Sequence, residues 1–143
     1  MRVALALAAA ALVFGASTAI AADMIAEPVA VLQGLDKITA RVSRFDAPVG
    51  QEVHFGTLSI VVRDCRKSAP EDRPENAAFI QIYENRPGEE RTRLFSGWMF
   101  SSSPALSALE HPVYDVNLLE CKGTASAAKS PAPAGKSSGK TAR

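Results

Sequence analysis

Metal-binding and redox side chains are scarce in this chain of 143 residues: cysteine occurs only at Cys65 and Cys121, and histidine only at His54 and His111. None falls in a C-x-x-C, H-x-x-x-H or C-x-x-C-H spacing, so the patterns of a zinc site and of haem attachment are missing. There is no phosphate-binding loop and no dinucleotide fingerprint. No apolar run reaches the ~20 residues that a bilayer core demands. Neither a cofactor, a metal nor a transmembrane segment is therefore expected. Long segments of helical period are absent as well.

The two ends of the chain differ from its middle. Residues 1–21 carry one basic residue, Arg2, an apolar run over residues 3–14, and small residues ending in Ala19-Ile20-Ala21. This is the pattern of a cleaved signal peptide, so the protein is expected to be exported to the periplasm. Residues 122–143 are rich in Ala, Ser, Pro, Gly and Lys, with no acidic residue and no large apolar side chain, and form an expected disordered basic tail. The net charge of +1 conceals an asymmetry. Lys122, Lys129, Lys136, Lys140 and Arg143 make the tail +5, and Arg2 adds one charge to the leader. Ten basic and fifteen acidic residues remain between them, leaving the middle at −5. Opposite signs invite contact of the tail with its own core, with an envelope protein or with an anionic envelope polymer. An acidic folded part argues against nucleic acid.

Residues 35–121 are expected to form one small domain, preceded by an extended lead-in over residues 22–34. Alternation dominates it. In "LDKITARV" Ile38, Ala40 and Val42 alternate with polar residues as in a half-buried strand. "EVHF" and "TLSIVVRDC" are split by Gly56, and "AAFIQIYE" follows. Pro87-Gly88 reads as a type II turn, and "RTRLFSGWMF" and "VYDVNLLEC" complete the set. Short strands joined by turns predict an all-β fold, a small antiparallel sandwich or partly closed barrel, with one short helical turn near residues 103–110. In an exporting compartment Cys65 and Cys121 are expected to pair, closing a loop of more than fifty residues.

The stretch "GWMFSSSPALSALEHPVYDV", residues 97–116, concentrates serines, a histidine and an aspartate. Read structurally, Trp98 and Phe100 belong to a central strand apolar on both faces. Ser103 caps a turn opened by Pro104, Leu106 and Leu109 face the core together, and Tyr114 lies on the next strand. Trp98, Phe100, Leu106, Leu109 and Tyr114 are thus candidate core residues. Read chemically, Ser101, Ser102 and Ser103 beside His111 and Asp115 hold the ingredients of a hydrolase, yet the flanking "FSGWMF" lacks the G-x-S-x-G elbow. Glu71-Asp72, Glu75 and Glu89-Glu90 read as solvated loops. No catalytic residue is assigned.

"LDKITARVSRFDAPVGQEVHFGTLSI", "FSGWMFSSSPALSALEHPVYDV" and the two cysteines resemble DUF2155, a family of small exported alphaproteobacterial proteins of unknown function. The resemblance covers about residues 35–121. It implies a bacterial envelope location and carries no activity to transfer. The resulting expectation is a non-enzymatic binding or structural module of the envelope. Its alternatives are a small hydrolase using the loop from Ser101 to Asp115, or a carrier holding a small apolar ligand inside a barrel.

Overall fold

A computed structural model describes residues 23–123. The expected signal peptide over residues 1–21 and the expected tail from residue 124 onward lie outside the described residues, whereas Lys122, expected in that tail, ends the strand Tyr114–Lys122 and pairs with Asp46. The expected all-β class is observed, as two antiparallel sheets packed face to face without closing into a barrel.

One sheet runs β1 (Met24–Ala26), β5 (Leu58–Ser68), β6 (Asn76–Glu84), β7 (Thr92–Phe100), with β4 (Glu52–Phe55) also paired to β5. The other runs β3 (Arg41–Pro48), β2 (Val29–Asp36), β8 (Tyr114–Lys122). Leu32, Leu58, Ile60, Val62, Ile80, Ile82, Met99, Val116 and Leu118 fill the space between them. The residues expected as a lead-in are therefore mostly sheet. β2 is the centre of the smaller sheet, and Val29, Ala30, Val31 and Leu32 are all buried.

The alternation read in "LDKITARV" does not make one strand. Asp36 Oδ1 accepts hydrogen bonds from the backbone N–H of Ile38 (2.9 Å) and Thr39 (3.1 Å), and the chain turns there. Ala40 takes a positive φ of 54°, β3 begins at Arg41, and Ile38 is left 75% exposed. A local aspartate turn outcompetes a strand whose apolar residues have nothing to pack on. Gly56 opens the two-residue connection between β4 and β5, where Phe55 pairs with Leu58. Its φ is 58°, and a Cβ there would collide with the Tyr114 ring.

Opposite ends of the sandwich are joined differently. At one end, rings from both sheets form a row: Phe45 stacks on Phe55 (5.6 Å), Phe55 meets Tyr114 edge-on (5.5 Å), and Tyr114 stacks on His111 (5.4 Å). Gly34 on β2 permits this, since a Cβ there would lie 2.6 Å from Phe55 Cζ. At the other end Cys65 on β5 is bonded to Cys121 on β8, with Cα atoms 5.7 Å apart. The pair joins the two sheets rather than parallel neighbours or alternate strands of one sheet.

Two bulges make that bridge possible. The β5–β6 register shifts between Val62 and Asp64, leaving Arg63 as the extra residue. The β2–β8 register shifts so that Val31 pairs with Glu120 and Leu32 with Leu118, leaving Leu119 extra. Strict alternation from Val62 and from Leu118 would point both cysteines outward. One extra residue in each strand turns them into the core, where they are 1% and 3% exposed.

Candidate functional site

Among the described residues no layer covers the outer face of the larger sheet. On β6 and β7 the paired residues Phe79 and Trp98 point outward, as do Ala77 and Phe100. The Trp98 ring sits edge-on to Phe79 with centroids 5.6 Å apart and remains 38% exposed. Together with Met24, Asp64, Arg66, Glu75, Ala77 and Phe100 it lines an open groove of about 510 Å³.

Trp98 is therefore not a core residue, and neither is Leu106, which is 76% exposed. Phe100 is half-buried at the groove. Among the described residues β7 is an edge strand, bonded to β6 alone, and its inward side is supplied by Phe95, Gly97 and Met99. The expected central strand with both faces buried is not observed: the opposing sheet packs on the side carrying Met99, and the side carrying Trp98 stays open. Leu109 is buried as expected, and Tyr114 is half-buried in the ring row. The helical turn is a single 3-10 turn, Pro104–Leu106, and the Ser103 side chain makes no capping bond.

The serines serve a different group. Glu75 receives the hydroxyl of Ser102, the backbone N–H of Ser102 (3.1 Å), the hydroxyl of Ser101 (3.2 Å) and the backbone N–H of Asn76 (2.9 Å). Burial pushes the Glu75 carboxyl up, but these donors outweigh it and hold the group below its ordinary value, so it stays charged at the groove's edge. Glu75 is thus a fixed anion and not a solvated loop residue. Asp64 supplies a second carboxylate, bonded to Arg66 Nε at 2.8 Å.

His111 is not brought to the serines. Its Nδ1 accepts the backbone N–H of Val113 (3.1 Å) and of Tyr114 (3.0 Å), so the ring proton sits on Nε2 and is donated to Glu84 Oε1 (3.1 Å). Both nitrogens are occupied and the residue is 7% exposed. Asp115 accepts a bond from Asn117 at 3.3 Å on another strand face. The loop from Ser101 to Asp115 assembles no nucleophile, base and orienting acid.

Sequence reading missed another serine, histidine and acid that do meet. Across the β4–β5 hairpin Ser59 Oγ lies 3.1 Å from His54 Nδ1, and His54 Nε2 lies 3.7 Å from Glu52 Oε1. The only signal was the hairpin register, which places His54 opposite Ser59. Ser59 is fully buried, and its oxygen receives the Asn85 amide. A substrate carbonyl has no access to such a hydroxyl, and the set reads as a polar brace. Among the described residues no group of three His, Cys, Asp or Glu is placed to hold a metal ion. No helix among them is long and apolar enough to cross a membrane.

A protein of Rickettsia prowazekii (strain Madrid E), called "Uncharacterized protein RP359", is 37% identical over 87 residues. The match spans 61% of this chain and 56% of that relative, so the chain covers about half the relative's length. No solved structure matches. The family described as "Uncharacterized protein conserved in bacteria (DUF2155)" matches residues 30–121, from the second residue of β2 to the bridged cysteine of β8. The chain belongs to that family.

Proposed function

We propose that the protein is an exported, non-enzymatic binding module of the bacterial cell envelope, and that it grips its partner through the Trp98 groove. The observation carrying this reading is the placement of the single tryptophan. A ring of that size is normally buried, yet here it stands beside Phe79 and Phe100 on a sheet face that no other described residues cover. An exposed indole with half-buried rings beside it, set at a recess and rimmed by charged side chains, is what a recognition surface needs. The leader over residues 1–21 supports a periplasmic location, and the paired cysteines suit an oxidising compartment.

The test compares the parent with Trp98→Ala. Since Trp98 is partly solvated, truncation is expected to cost about 1 kcal/mol, well under the ~3–5 kcal/mol of a core aromatic. Retention on isolated bacterial envelopes should fall at least tenfold. Unchanged retention would remove the groove from the function. Reproducible turnover of a substrate, lost on changing His54 or His111 with the fold intact, would overturn the non-enzymatic reading.

A further inference from the structure

β7 forms an edge of the larger sheet, and it lacks the features that keep edge strands apart. Such strands expose unpaired backbone groups and are normally short, or interrupted by charge and proline. β1 and β4 have 3 and 4 residues, and β3 carries Arg41, Arg44, Asp46 and Pro48. β7 has neither device, since from Leu94 to Phe100 it holds no charged residue and no proline.

The register fixes which backbone groups point away from the sheet. Ser101, just past β7, donates its N–H to the carbonyl of Asn76 at 2.9 Å. Across β6, Ser68 of β5 donates to the carbonyl of Glu75 at 2.9 Å, which leaves the same alternate residues of β6 for β7. Bonded pairs alternate along an antiparallel ladder. Phe95, Gly97 and Met99 therefore bond to β6, whereas Ser96, Trp98 and Phe100 turn N–H and C=O outward. Among the described residues no hydrogen bond reaches those outward groups. The loop after β7 runs beneath the strand and not along its edge, because Ser107 Oγ lies 3.7 Å from a Cβ built on the inward side of Gly97. It adds Pro104, Ala105, Leu106 and Ala108, all exposed and uncharged.

We propose that β7 pairs with β7 of a second copy about a two-fold axis at Trp98, joining the larger sheets of two molecules edge to edge. A second copy is the occupant because the strand is complementary to itself. With Trp98 opposite the partner's Trp98, Ser96 faces the partner's Phe100 and Gly97 faces the partner's Met99, so large side chains meet small ones. This alignment also joins every outward N–H and C=O of Ser96, Trp98 and Phe100. A shift by two residues sets Phe100 against the bulge at Leu94 in one direction, and in the other sets Ser96 past the end of the strand. The two indoles then share one face, with Cβ atoms about 5 Å apart, and the two grooves open side by side. The pairing stands whether or not the groove binds an envelope component.

The test uses the full chain, expressed with its leader, and follows its mass by sedimentation over about a hundredfold range of concentration. The parent should pass from monomer to dimer, and an exciton couplet between paired indoles should appear in the far-ultraviolet circular dichroism of the dimer. Ser96→Pro removes an outward N–H but no bond to β6, while Ser96→Lys keeps the backbone and adds charge at the edge. Both should weaken association by about tenfold or more, with the near-ultraviolet circular dichroism of the monomer unchanged. Oxidising a mixture of Ser96→Cys and Phe100→Cys should give mainly the mixed disulfide between copies. A parent still monomeric at about 1 mM would overturn the pairing. So would a dimer that both Ser96 variants leave intact, which would place the contact on another surface. Crosslinking of Ser96→Cys to itself, in place of the mixed product, would refute the alignment.

Discussion

Removing the bridge between Cys65 and Cys121 should cost this protein a large share of its stability. The bond closes a loop of 56 residues, for which the chain-entropy relation gives about 4 kcal/mol at 25 °C. A domain of this size is stable by ~5–15 kcal/mol in total. At roughly 4–8 °C per kcal/mol for about a hundred residues, the melting temperature should drop by some 15–30 °C. Both sulfurs are buried, so reductant added to the native protein acts slowly, and the comparison is best made after reduction in urea and refolding. The reduced parent keeps both sulfur atoms in place and isolates the cross-link. Cys65→Ala/Cys121→Ala adds a small void worth on the order of 1 kcal/mol. Urea unfolding of both should also show a steeper denaturant dependence, because an uncrosslinked unfolded chain exposes more surface. A reduced protein within 1 kcal/mol of the oxidised one would refute the argument, as would two alkylatable thiols in the unreduced protein.

Leu109→Ala, which empties a buried site, should cost about 2–5 kcal/mol in urea unfolding, whereas Leu106→Ala should stay within ~0.5 kcal/mol; equal losses would place both leucines in the core. Gly34→Ala should destabilise by about 1–3 kcal/mol, because its methyl would displace the Phe55 ring, and a neutral result would show that the ring row is free to move. Glu84 is held below its ordinary pKa by the His111 hydrogen bond, against the opposing effect of burial and with further help from Arg86. Its contribution should be complete above the unfolded value near pH 4.3 and lost as pH falls through the lower folded value. Glu84→Gln should accordingly flatten the acid limb of stability against pH, and an unchanged limb would discount this pair.

Most strands were legible because alternation is a local signal, and β6, β7 and β8 fall within a residue or two of their expected bounds. What was not legible depends on partners distant in sequence. Nothing in "GWMF" tells that only one face of β7 meets another sheet, and Trp98 lies on the other face. Glu75 looked like a loop carboxylate because Ser101 and Ser102, which fix it, come 26 and 27 residues later. The pairing of Ser59 with His54 depends on hairpin register, and the turn at Asp36 depends on one side chain overriding an alternating pattern. Arg63 and Leu119 carry no mark of a bulge in the sequence, yet each reverses the direction in which its cysteine points.

Those two extra residues give oxidation a proofreading role. A one-residue slip of β5 against β6, or of β8 against β2, would swing one sulfur to the opposite face, several ångströms beyond bonding reach of its partner. The covalent link is therefore accessible only to chains that have chosen the correct alignment in both sheets. Once made, it blocks later slippage in either. A chain folding under oxidising conditions is checked twice by a single bond, and misaligned molecules are left with free thiols on their surface, where they are chemically distinguishable from those that folded correctly.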